Sequence, residues 1–104
     1  MRLRITETCP ESRVLRPDGA RLRQEIEKRW SDEDVLELDF ENRRISSVSF
    51  LDEAIAVLFL IHAPDVVTRR LRPMNMTTTD RATLNRQIAL RLQERATTTE
   101  KPSQ

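Results

Sequence analysis

The stretch from Val35 to Ile61, VLELDFENRRISSVSFLDEAIAVLFLI, decides the fold. Leu36, Leu38 and Phe40 alternate with Val35, Glu37 and Asp39, the period of a strand with one buried face. A parallel strand covered on both faces reads as an unbroken apolar run, so acids at 37 and 39 imply that one face of the sheet meets water. Glu41 to Ser47 makes a polar connection. Ser49, with Asp52 three residues later, fits a capping box ahead of an apolar run, which makes Ser49 the expected N-cap. Asp52 and Glu53 fall in the first helical turn, where the helix dipole favours an exposed negative charge by roughly 0.3 to 1 kcal/mol. Ala54 to Ile61 is apolar all round and marks the most buried helix; His62 lies in its last turn, and Pro64 is expected to stop it.

Working outward, Arg2 to Thr6 alternates as a first strand, with Leu3 and Ile5 on the buried side. Gly19, the only glycine, suits a turn or a close helix approach and cannot by itself form a phosphate loop. From Asp18 as N-cap, Leu22, Ile26 and Trp30 recur every fourth residue beneath a charged outer face, predicting an amphipathic helix that ends near Trp30. Val66 to Arg72 reads as a strand, placed at a sheet edge by its arginines and Pro73. Thr79 or Asp80 caps a final helix in which Leu84, Ile88 and Leu92 step by four, reaching about Arg95. A short extra strand around Arg13 to Leu15 is a further option. The order β-α-β-α-β-α predicts an α/β fold: a small sandwich with a mixed β-sheet of three to five strands and helices mainly on one face. One domain is expected over residues 1–96, followed by a disordered tail over residues 97–104.

Composition excludes several classes. The chain has 104 residues, enough for one modest core. Charged residues are 34% of it but split 18 basic to 17 acidic, so the net charge of +1 creates no global field toward nucleic acid or membrane. The apolar run is far short of the roughly 20 residues that span a bilayer. A lone cysteine, Cys9, and no leader-like N-terminus point to the cytoplasm.

Three constellations could carry chemistry. Ser46, Ser47 and Ser49 precede the buried helix. Capping and turn chemistry account for them locally, but with Ser49 committed to the cap, Ser46 and Ser47 remain as hydroxyls that a kinase could reach. Asp39, Asp52 and Glu53 could gather at one end of the sheet; without a second histidine, a metal-spaced motif or a phosphate loop they read as solvated acids. Arg43, Arg44, Arg69, Arg70 and Arg72 could form a basic patch for nucleic acid, the alternative to protein binding, although aromatic residues are scarce at 4%. His62 reads as a helix-end cation or hydrogen-bonded residue, and Cys9 as inert or a surface thiol. No set of residues reads as an enzyme active site, and no cofactor is implied.

The run Leu38-Asp39-Phe40 followed by Ile45-Ser46-Ser47-Val48-Ser49-Phe50-Leu51-Asp52-Glu53 resembles the signature of the bacterial STAS-like family of unknown function. Asp18-Gly19 with Leu22 and Ile26, and Leu84-Asn85, extend the resemblance over residues 2–92. That family is similar in turn to the STAS domains of anti-sigma factor antagonists. The resemblance implies a partner-switching or sensory regulatory module, controlled in the antagonists by phosphorylation of a serine at this junction. With no catalytic constellation in the chain, the expectation is a non-catalytic module that binds a protein partner through the 43–53 strand-to-helix junction. A histidine-kinase-like ATPase or an anti-sigma-type regulator would be such a partner. The antagonists carry an Asp-Ser-Ser-Gly segment; this chain has Ile45-Ser46-Ser47-Val48. If the turns are matched, Ser46 or Ser47 takes the phospho-acceptor place; if the apolar helices are matched, Asp52 and Glu53 fall there as permanent charge. A homodimer through the wet sheet face or an edge strand is a further expectation.

Overall fold

The computed structural model describes residues 2–10, 14–31 and 35–100. Strands β1 (Arg2–Arg4), β2 (Leu36–Asp39) and β3 (Leu71–Met74) form one sheet in the order β1-β2-β3. The sheet is wholly parallel rather than mixed, with Leu3 opposite Leu38 and Leu38 opposite Pro73. Each link between strands runs through helices, which return the chain to the same end of the sheet before the next strand begins.

The helical elements are α1 (Ile5–Thr8), α2 (Arg16–Lys28), α3 (Val48–Leu51), a π-helical turn (Asp52–Ala56), α4 (Leu58–Ile61), α5 (Pro64–Arg70) and α6 (Thr78–Glu100). The two crossovers run in one direction across the sheet, and the right-handed rule for such connections places their helices on one face. Leu3, Leu36 and Leu38 are buried on that side. On the opposite face Arg2, Glu37 and Arg72 share a register row, and Arg2 Nε lies 3.3 Å from Glu37 Oε1. Glu37 stands on this wet face as its place in the alternation indicated, whereas Asp39, expected there as a solvated acid, is only 4% exposed.

Several local expectations need correction. The first strand stops at Arg4, and Ile5, although buried, opens a short helix. Asp18 is not the N-cap of α2: Leu15 holds that position, and the Asp18 carboxylate reaches back to accept its backbone N–H at 2.8 Å, the returning half of a capping box. Val66 to Arg70 is helix, not strand. Pro64 does not merely stop the preceding helix but opens α5 from its first turn, where its fixed φ and missing N–H cost nothing, while Arg69 and Arg70 close α5 where cations suit the dipole. The strand begins only at Leu71, and Pro73 is tolerated because β3 is an edge strand. Helix α6 is capped by neither Thr79 nor Asp80: Thr77 Oγ1 accepts the Asp80 N–H at 3.1 Å. The helix continues to Glu100, so the start of the expected tail is helical; residues 101–104 lie outside the described residues. The optional strand at Arg13 to Leu15 falls partly outside them too, and Val14 and Leu15 are not in a strand.

The core lies between the sheet and the stretch 48–61. Phe50, Leu51, Ala54, Ile55, Ala56 and Leu58 are all buried there, with α2 on one flank and α6 on the other. Gly19 allows the first flank to close. A Cβ built at this position would stand 2.7 Å from the Phe50 carbonyl oxygen, a backbone atom with no rotamer through which to escape. Alanine is otherwise the better helix former by about 1 kcal/mol. Gly19→Ala is nonetheless expected to destabilise the protein by about 1 to 3 kcal/mol, read as a lower urea midpoint; a raised midpoint would show that the two helices can separate without loss.

Candidate functional site

The junction between β2 and α3 is an ordered elbow. Asn42 and Ser46 adopt left-handed backbone conformations, with φ of 62° and 51°, and reverse the chain between strand and helix. Asparagine visits that region readily, whereas serine pays roughly 1 to 2 kcal/mol for it. The support comes from Asp80, in the first turn of α6. It is 2% exposed, and its two carboxylate oxygens accept the backbone N–H groups of Ile45 at 2.7 Å and Ser46 at 3.0 Å. Ile45 is buried beside it, so the elbow is anchored by one apolar side chain and one buried carboxylate.

Ser47 is the N-cap of α3, its hydroxyl accepting the Phe50 N–H at 3.2 Å. This corrects the assignment of Ser49, which lies inside the first turn: the helix starts two residues earlier than the capping-box pattern indicates. Ser46 is exposed, and its hydroxyl makes no hydrogen bond among the described residues. Val48, in the first turn of α3, is 52% exposed. Arg44 is exposed and Arg43 half-buried.

Asp52 and Glu53 do not form an exposed acidic tip. Asp52 is 4% exposed and is held bidentately by Arg91 of α6, Nε to Oδ1 at 2.9 Å and Nη2 to Oδ2 at 2.6 Å. Arg16 of α2 bridges both acids, at 3.3 Å to Asp52 and 2.8 Å to Glu53. Arg23 binds the Glu53 carboxylate and donates to the Glu53 carbonyl at 2.7 Å. The Arg91 guanidinium holds the Asp52 carboxyl below its usual range, and Arg23 and then Arg16 do the same for Glu53. Asp39 is separate from both. Asn75 donates to it at 2.9 Å and the Glu41 N–H at 3.0 Å, and these bonds depress its pKa. The three acids therefore do not converge, and among the described residues no group of three or more His, Cys, Asp and Glu side chains could hold a metal ion.

The five arginines do not form one patch. Arg43 and Arg44 follow the carboxyl end of β2, whereas Arg69 and Arg70 precede the amino end of β3, and the two strands run parallel from Leu36 and Leu71. Arg70 donates to the Trp30 carbonyl at 2.7 Å and lies 5.9 Å from the centre of its ring. Trp30 stacks on His62 at 4.3 Å, and His62 Nε2 lies 2.6 Å from Glu27. His62 is thus the hydrogen-bonded residue expected at the helix end. Cys9 is fully buried rather than a surface thiol. Asp80 was missed as a site residue; its position three residues after Thr77 marked it as a first-turn acid but not as the anchor of a loop 35 residues away.

An elbow between a parallel strand and a buried helix, on a sheet covered from one side, is the arrangement carried by the motif at 38–53. The model of the STAS-like domain of unknown function matches residues 18–81, more than half the chain, and the protein belongs to that family. No curated protein and no solved structure matches it. No helix among the described residues is long and apolar enough to cross a membrane.

Two outcomes follow from this geometry. Asp80→Ala strips one buried and one partly buried N–H group of their acceptor, at a cost of about 1 to 3 kcal/mol, and hydrogen exchange at the Ile45 and Ser46 amides should accelerate more than at β2; uniform acceleration would mean that Asp80 supports the whole fold rather than the elbow. Because Asp39, Asp52 and Glu53 have lower pKa values folded than unfolded, the unfolded chain binds more protons on acidification. Their contribution is complete above about pH 5 and declines as pH falls through about 4 toward the folded values. Asp52→Asn should flatten the urea midpoint's dependence on pH in that window, and an unchanged acid limb would show that the Arg91 pair contributes nothing.

Proposed function

We propose that this STAS-like chain is a regulatory module without catalysis of its own, and that it binds a protein partner through the elbow at residues 43–49. The observation that carries this reading is the Asp80 anchor: a loop held in one conformation before binding loses little entropy when a partner engages it. The elbow offers an apolar contact in Val48, a free hydroxyl in Ser46 and the cation of Arg44. The family resemblance favours a histidine-kinase-like ATPase or an anti-sigma-type regulator as the partner.

If the module is switched by phosphorylation, Ser46 is the acceptor the geometry favours, because the Ser47 hydroxyl is committed to the α3 cap and Asp52 and Glu53 are committed to arginines. A phosphate on Ser46 would bring about 1.5 to 2 negative charges to the surface of the elbow. Ser46→Gly would remove the acceptor and relieve the left-handed serine, so it should leave stability unchanged or raised by up to about 1 kcal/mol.

The test is a binding titration against a purified histidine-kinase-like ATPase from the same genome. Val48→Asp and Ser46→Asp should each weaken binding at least tenfold without lowering the melting temperature, while Arg69→Glu, at the opposite end of the sheet, should not. Loss confined to Arg69→Glu would remove the elbow from the interface, and efficient turnover of nucleotide or phosphate esters by the purified chain would remove the non-catalytic reading.

A further inference from the structure

A second feature lies away from the elbow, between α6 and the β3 side of the core. It is a half-open cavity of about 280 Å³ with Ile55, Phe59, Val67 and Leu71 as its floor and Leu84 and Ile88 along one wall. Arg81 and Asn85, one helical turn apart on α6, stand at its margin. Both are exposed, and neither side chain makes a hydrogen bond or ion pair among the described residues. Arg81 differs in this from Arg16, Arg23, Arg70, Arg91 and Arg95, whose guanidinium groups are all engaged within the fold. An available cation beside an available amide, over an apolar floor, is complementary to a molecule with an anionic head and an apolar body.

Size and shape decide between a small molecule and a macromolecule. A cavity of about 150 Å³ accommodates benzene, so this one has room for a body of about eight carbon atoms. A stable protein contact covers about 800 Å² on each partner. Of the exposed apolar residues Leu15, Val48, Ile61, Leu90 and Leu92, only Leu92 lines the cavity, so it is an inset rather than the centre of a broad apolar face.

We propose that this cavity binds a small carboxylic acid with an apolar chain or ring of about eight carbons. The carboxylate is received by the Arg81 guanidinium, whose fork matches its two oxygens, and by the Asn85 amide. The apolar body lies against Phe59, Leu84 and Ile88. The inference does not depend on the elbow's partner, because Arg81 and Leu92 lie outside the segment 43–49.

Calorimetric titration of the full chain with octanoate tests it, with octan-1-ol as the uncharged control. Octanoate should saturate at one molecule per chain and raise the melting temperature. Arg81→Gln should weaken octanoate at least tenfold and leave octan-1-ol unchanged. Leu92→Trp, which fills the far end of the cavity from a partly exposed position, should weaken both. Melting temperatures of the unliganded variants close to wild type would show that the losses are local. Non-saturating octanoate binding, or equal affinity for octanoate in wild type and Arg81→Gln, would overturn the assignment. So would a concentration-dependent dimer, seen by sedimentation, that Leu92→Trp dissociates, since a second copy would then occupy the cavity.

Discussion

Two neighbouring acids hold three helices together. Successive side chains on a helix diverge by about 100°, so Asp52 and Glu53 leave the central stretch toward opposite flanks. Asp52 meets Arg91 of α6, Glu53 meets Arg23 of α2, and Arg16 touches both. They sit where the helix widens into its π turn, closed by the Val57 N–H donating to the Asp52 carbonyl at 3.0 Å. A nearly buried carboxylate is costly to leave unpaired, so sliding α6 by one turn would cost far more than the apolar contacts alone require. The ion cluster thus sets the register of helices that hydrophobic packing would hold less specifically.

That register reaches the elbow. Arg91 and Asp80 are eleven residues apart on α6, about 16 Å along the helix axis. Fixing Arg91 on Asp52, and Arg95 on the Leu60 carbonyl at 3.1 Å, fixes where the first turn of α6 arrives. It arrives beneath Ile45 and Ser46. The left-handed serine at the exposed turn is therefore maintained by a carboxylate whose own position is set at the other end of the same helix. Gly19 acts in parallel on the α2 side, where it permits a backbone approach that any larger residue would block.

Much of this was legible in the residues. The alternation at 36–40, the apolar run from 54 and the four-residue steps of Leu22, Ile26, Leu84 and Ile88 are statements about burial, and burial has a period, although Ile61, at the end of the run expected to be buried all round, is 51% exposed. The acid at 37 marked the open face of the sheet, whereas Asp39 is buried and held by Asn75 and the Glu41 N–H instead of water. The errors fell where competing local signals are nearly balanced. Val66, Val67 and Thr68 favour a strand by β-branching, yet Pro64, with Asp65 behind it and arginines after, opens a helix that buries Val67. Ser47 and Ser49 both satisfy the chemistry of an N-cap, and only the path of the incoming chain selects Ser47.

The elbow illustrates the same division. Its serines, its arginines and its acids could be read directly, as could its place between a half-wet strand and a buried helix. Which of them face solvent could not, because a hydroxyl or carboxylate is spent or available according to partners far along the chain. Asp52 and Glu53 look like an exposed acidic tip until α2 and α6 supply guanidinium groups. Asp80 looks like a first-turn acid until the fold brings a loop 35 residues distant onto it. Periodicity and capping chemistry act over a few residues, and they determined the elements and the class of fold. The pairing of charges across helices and the orientation of the elbow arise only when distant segments exclude water between them, so those features belonged to the tertiary structure alone.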